Sequence, residues 1–590
     1  SIFGSSNQST TDTNNMIMGL SNQSTTNNQS LIIGKSNIVT GTNQTTVLGE
    51  GNNHIQLTTN SLISGKKNED NNSNQTFITG EENQSFNTIN SIIGGKSNII
   101  NSNTNSITIG NTNTNVANIS TITIGSINQV KNTFNMGIIG DTNDVSNNST
   151  RSIVIGTENA INNIDGSVIS GKENSAYTSE NSIIIGYKNK EFNSSFNAIF
   201  GDNHDLSNNN NSIVSGKSNE LKNSTNNSIF GSNNIINNNT SNSSIIGKTN
   251  TSASNQNSVI FGEDNVISNN ENTLLTGKNN TTVTNNKNSL LTGLSADIQS
   301  NNQSLISGKL LTASNNNNIF LHGLSNTVTN SNQSVVSGLL NVENTGENNA
   351  IFGKGHSVLT SQNLLIDGSG NNITNTKNSI ISGDTNETDN THECFVTGIA
   401  NKSNSIKTTI ISGMNNDVSM NVTNSIVIGD GNKVTNSNGD LNSDKSSSLH
   451  VGNSNTIKQS FAILSSGENH IITDSSGSSI FGHNITVDTE TDTIIVGKDH
   501  TVKNSTYNAI FGNNNNLSNS TTGTIMSGSD NKETGGTNNA IFGKNQKSLV
   551  NNKQTLLSGI NNSVQNTENS LIIGETNTSW SYGSATVELK

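Results

Sequence analysis

Histidine, cysteine and carboxylate are the side chains of this sequence that could hold a metal or move a proton. Their spacing argues against both. Four of the nine histidines, His204, His356, His470 and His500, each stand three residues after a glycine, in a slot that asparagine usually fills. They lie 30 to 152 residues apart, without a Cys or acidic partner at ligand spacing. The calcium-binding GGxGxD nonapeptide is absent: Gly94-Gly95 is followed by Lys96, and Gly535-Gly536 by Thr537. The single cysteine, Cys394, rules out an intrachain disulfide framework and occupies a slot that Ser182, Ser61 and Thr76 fill elsewhere, so it is read as a packed near-isostere. Paired carboxylates, a Ser/His/Asp set and a phosphate loop do not rise above the background. The expectation is a protein that is not an enzyme, with no catalytic residue, no metal and no cofactor.

Binding chemistry has one local candidate. TNSNGDLNSDKSSS at 435–448 lengthens one interval by eight residues and reads as a protruding loop, in which Asn436, Asn438, Asp440, Asp444 and Lys445 could contact a ligand. A tolerated insertion without function is the alternative. Asn-x-Ser/Thr triplets such as Asn7-Gln8-Ser9 are formal glycosylation acceptors, but chance produces them freely in this composition.

The elements that carry these residues come from one stretch written 38 times, seen at Asn181–Gly186 as NSIIIG. Its glycine recurs after 15 residues in 29 of 37 intervals, after 16 in seven and after 23 once. So short a period, sustained over nearly the whole length, means a solenoid rather than a set of globular domains. Apolar residues are only 28% and proline is absent, which suits a core a few side chains thick and a sheet that needs almost every backbone N–H.

The residue two before the glycine is Ile, Val, Leu or Met in 34 copies; Thr108, Thr123, His450 and Ser465 are the exceptions. The residues one and three before it point to the opposite face and compensate in size. Ser or Thr before the glycine pairs with a large residue two earlier, as in Leu62 with Ser64, Ile213 with Ser215 and Phe395 with Thr397. Phe there pairs with Ala or Ser, as in Ala198 with Phe200 and Ser228 with Phe230; Val259 with Phe261 is the exception. Both faces of this strand are therefore expected to be buried. Asn three after the glycine, in 30 copies, is assigned to a left-handed corner and to a ladder of stacked amides. Val, Ile or Leu five after it, between polar neighbours, predicts a second strand with one wet face. A polar return loop completes the turn.

Net charge is −13 without charge blocks, and no basic patch speaks for nucleic acid. No run reaches the ~18 apolar residues of a membrane helix. The chain opens in mid-repeat without Met, and it is read as a piece of a longer protein.

NSIVIGDGNKVTNSN at Asn424–Asn438 and NSIIIGYKNKEFNSS at Asn181–Ser195 resemble the head repeats of trimeric autotransporter adhesins, the YadA-like head. The likeness covers residues 1–577. Asn often stands where that family has Ala after the glycine, a large aliphatic stands two before it, and the likeness of Trp580, Tyr582 and ATVELK to a neck is faint. The resemblance implies a left-handed parallel β-roll in a parallel homotrimer, displayed at the cell surface and joined to the outer membrane through an anchor missing from this chain. It also implies adhesion to host cells, matrix proteins or other cells.

The expected fold is thus all-β: a left-handed β-solenoid of 38 turns over residues 1–577, ~180 Å long at ~4.8 Å per rung, with an exit segment at 578–590. A two-stranded turn leaves one side of its inner strand bare, and copies about a threefold axis would cover it. A triangular solenoid whose return segment folds inward is the alternative, and which face meets the axis is open. The expected function is that of a non-enzymatic adhesin head, with a structural fibre or coat protein lacking a receptor as the alternative. Ice binding would need a regular Thr column, and Thr is scattered.

Overall fold

The computed structural model describes the chain except residues 53–54, 375–376, 386, 389–392, 401, 404–406, 420–422, 436–447, 459–462, 474–476, 487–490, 500, 504–505, 519–520, 585–586 and 590. Among the described residues there is no helix, and every strand pairing is parallel. The chain divides into two compact units, Ser1–Asn288 and Ser289–Lys590.

In the first unit the strands Met16–Leu20, Leu31–Lys35 and Thr46–Glu50 stack in register, with Gly19 opposite Gly34 and Gly34 opposite Gly49. A second ladder joins Gln23–Thr25 to Ile38–Thr40. In the second unit Leu305–Lys309, Phe320–Leu324 and Val335–Leu339 repeat the first ladder, and Thr312–Ser314 and Thr327–Thr329 repeat the second. The strands are short because the chain turns a left-handed corner three times per turn. In one turn these corners are Ser36 at φ 57°, Gly41 at φ 64° and Gln44 at φ 52°.

Two expectations are corrected here. The asparagine three after the glycine is not the left-handed residue; the residue before it is, for example Ser36 before Asn37. The return segment is not a free loop either. It adds a third line of parallel bridges, Thr13 to Asn28 to Asn43 in the first unit and Asn302 to Asn317 to Asn332 in the second. The period alone could not reveal this side, because it is held mostly by single bridges, the majority between polar residues, and has no apolar alternation.

Five columns of side chains point inward, and one turn supplies Ile32, Asn37, Val39, Thr42 and Thr45, all buried. Only two of these are apolar, so the interior is an aliphatic stripe flanked by hydrogen-bonding residues. The marker glycine sits where no side chain fits: a Cβ on Gly186, at φ 139°, would lie 1.8 Å from the carbonyl oxygen of Gly201. Near the C-terminus Thr578–Ser584 pairs with Ser563–Glu568, and Val587–Leu589 pairs with Leu571–Glu575.

Candidate functional surfaces and the polar interior

The face with compensating sizes is open. Ile183 and Ile185 are each 41% exposed, and Ile213, Phe230, Phe320, Leu365, Ile494 and Phe542 are likewise exposed. The residue between each such pair, Ile184 in this turn, is fully buried. The expectation that both faces of this strand are buried is therefore corrected: within the chain only the uniform aliphatic column is covered. Register explains the compensation. Ala198 lies between Ile183 and Ile213 while Phe200 lies between Ile185 and Ser215, so large and small residues alternate across the face and keep it level. The adjoining outward column is charged, and ion pairs such as Lys35–Glu50 at 3.7 Å and Lys278–Glu263 at 2.9 Å run from rung to rung.

Inside, the asparagine ladder forms as expected. Asn113 Nδ2 donates to Asn98 Oδ1 at 2.9 Å and to the Gly125 carbonyl at 2.7 Å, while the Asn128 backbone N–H donates to Asn113 Oδ1 at 3.0 Å. Each amide thus ties three successive rungs. The histidines in this column substitute for that role. His204 Nδ1 accepts from the Asn219 N–H at 3.2 Å and its Nε2 donates to the Phe200 carbonyl at 3.0 Å. His470 pairs with Ser465 Oγ at 2.9 Å and with the Gly482 carbonyl at 2.9 Å. His356 donates from Nε2 to the Phe352 carbonyl at 2.9 Å. Burial lowers the pKa of all three, and among the described residues no three His, Cys, Asp or Glu gather as a metal site. His500 and the loop residues Asn436, Asn438, Asp440, Asp444 and Lys445 lie outside the described residues. Cys394 is buried.

Three of the four polar exceptions in the aliphatic column, Thr108, Thr123 and Ser465, have local partners. Asn115, itself buried, donates to Thr108 Oγ1 at 2.5 Å and accepts from Thr123 Oγ1 at 3.4 Å. His450 is fully buried with neither ring nitrogen bonded, and burial followed by the nearby His470 pushes its pKa down to about 3.

Buried acids are the feature that sequence reasoning missed. Asp70, Glu191, Glu343 and Glu533 all sit five after the glycine, in the second inward aliphatic column. Glu191 Oε1 accepts from Ser182 Oγ at 2.9 Å and from Asn197 Nδ2 at 2.8 Å; Glu343 Oε1 accepts from Ser334 Oγ at 3.0 Å and Asn349 Nδ2 at 2.5 Å. Glu533 Oε1 accepts from Asn539 Nδ2. The second oxygen of each of the three is buried without a partner. Desolvation raises the pKa of all four, Asp70 to about 7, because a charge cannot be hydrated there; the Ser73 and Ser85 hydroxyls moderate the rise at Asp70. A signal existed. Three residues after each acid stands a small residue, Ser73, Ser194, Gly346 or Gly536, and a Cβ on Gly346 or Gly536 would meet the glutamate Oε1 at 1.9 or 1.8 Å.

No protein-family model matches the chain, and no curated protein matches it.

Proposed function

We propose that this chain is the head of a non-enzymatic surface adhesin, a left-handed roll that works as a parallel homotrimer and is held at the cell surface by parts outside this sequence. The observation that carries the reading is the open face. Large apolar residues, chiefly isoleucine, leucine and phenylalanine, recur on it from rung to rung, a stripe of the kind that soluble monomers ordinarily cover. Identical parallel copies fit it, since the face is level, its residues recur at a fixed spacing and cyclic closure leaves no free edge. The likeness of NSIIIG and its copies to adhesin head repeats points the same way.

Beads coated with the purified chain should retain host cells, matrix proteins or other bacterial cells above an uncoated control. Retention of none of the three would remove the adhesive reading and leave a structural fibre or coat.

A further inference from the structure

We propose that the outer face of five consecutive turns in the first unit binds a linear, neutral glycan, an inference that deepens the adhesive reading and rests on it. Elsewhere in this unit the second strand of a turn spans two or three residues. In these turns it spans six: Ala160–Asp165, Ser175–Glu180, Lys190–Ser195, Asp205–Asn210 and Glu220–Thr225. A left-handed corner interrupts each of them, at Asn163, Thr178, Asn193, Asn208 and Asn223, and pairing resumes beyond it, with Ile164 opposite Ser179 and Asn210 opposite Thr225. The block is bounded on both sides by a 16-residue turn whose extra residue makes a double left-handed step, Asn147-Asn148 at φ 58° and 60° and Asn238-Asn239 at φ 54° and 60°. It is a distinct patch on an otherwise repetitive surface.

Three aromatic rings stand on it. Tyr177 and Phe192 are register neighbours, 40% and 56% exposed, and Phe196, 58% exposed, follows at the next corner of the same turn as Phe192. Burying none of these rings within the chain leaves flat apolar faces in water, where they attract a partner with an apolar face of its own. Beside them runs a row of amides: Asn193 Nδ2 donates to Asn208 Oδ1 at 2.7 Å, and Asn208 Nδ2 donates to Asn223 Oδ1 at 3.0 Å. The row leads into a surface groove of about 350 Å³ lined by Asn208, Asn223, Ser224, Thr225, Asn239 and Thr240, next to the second double step.

A sugar chain matches this arrangement. The C–H face of a pyranose packs on an aromatic ring, and amides and hydroxyls, each a donor and an acceptor, meet its hydroxyl groups. Successive rungs lie ~4.8 Å apart, about one sugar unit of an extended chain, so neighbouring units can rest on Tyr177 and Phe192. Charge selects against an ionic ligand. Lys190 stands in register with Asp205, Lys222 is paired with Glu220 at 2.5 Å, and Arg151 is paired with Asp165.

The test uses the whole chain and a panel of immobilised hexasaccharides: β1,4-linked glucose, β1,4-linked N-acetylglucosamine and α1,4-linked glucose. At least one should bind, and Phe192→Ala with Phe196→Ala should weaken that binding at least tenfold. Asn208→Ala should weaken it as well. Phe134→Ala, which removes an exposed ring outside the patch, should leave it unchanged. Failure to bind any of the three sugars overturns the proposal, as does equal binding by the Phe192/Phe196 variant. The two readings separate cleanly: cell retention that survives the double substitution and free sugar keeps the adhesin and removes the glycan site, whereas sugar binding without cell retention does the reverse.

Discussion

At Gly186 a single hydrogen decides whether two turns can stack. The left-handed φ and the 1.8 Å approach to the Gly201 carbonyl mean that even a methyl must displace backbone. Gly186→Ala should cost about 3 kcal/mol or more, read by denaturant unfolding and by loss of amide protection in the turns on either side. The buried acids set a second rule at this scale. Asp70, Glu191, Glu343 and Glu533 have folded-state pKa values above their unfolded ones, so the folded chain keeps protons that the unfolded chain releases. Their stability contribution is fully present below pH about 4 and is lost as pH rises through the raised values, which for Asp70 means by about 7. His450 has the opposite sign: its pKa is pushed down to about 3, so stability around it is lost as pH falls below about 6.5. Hydrogen exchange followed against pH should therefore show the turn of Asp70 loosening from pH 4 to 7 and the turn of His450 tightening over the same range. Asp70→Asn should flatten the first trend, and parallel behaviour of both turns would refute the assignment.

Among the elements, the strand that carries the glycine was legible because its pattern is stated 38 times, and of the two faces that the pattern was read to bury, only the aliphatic column of Ile32, Val47 and Ile63 is covered. The second strand was legible from Val39 and its equivalents. The third side was not, since residues such as Asn28 and Asn43 bridge through backbone and side-chain amides and leave no trace in hydropathy. The buried acids were legible by position alone: of 42 Asp and Glu, these four stand five after the marker glycine, in the slot that Val39 and its equivalents fill. Size compensation was read as close packing of a buried face, whereas it describes a face that the chain itself leaves open. Ala350 shows the consequence. It sits beside Val335 and Leu365 on the open face, two residues from Phe352. Ala350→Leu should therefore change the unfolding of an isolated chain by less than about 0.5 kcal/mol, yet cost about 1–3 kcal/mol where copies cover that face. Comparing denaturation at low and high protein concentration separates the two values, and an equal loss at both would mean that the face is confined within the chain.

For the molecule as a whole, the backbone is saturated with hydrogen bonds while one apolar face in each unit is uncovered. Net charge of −13 spread over 590 residues is too dilute to keep such faces apart. Covering by identical copies is the central claim, and sedimentation of the purified chain at low protein concentration tests it most directly. The account predicts a species of three times 62.1 kDa. A stable 62.1 kDa monomer with no tendency to associate would contradict it.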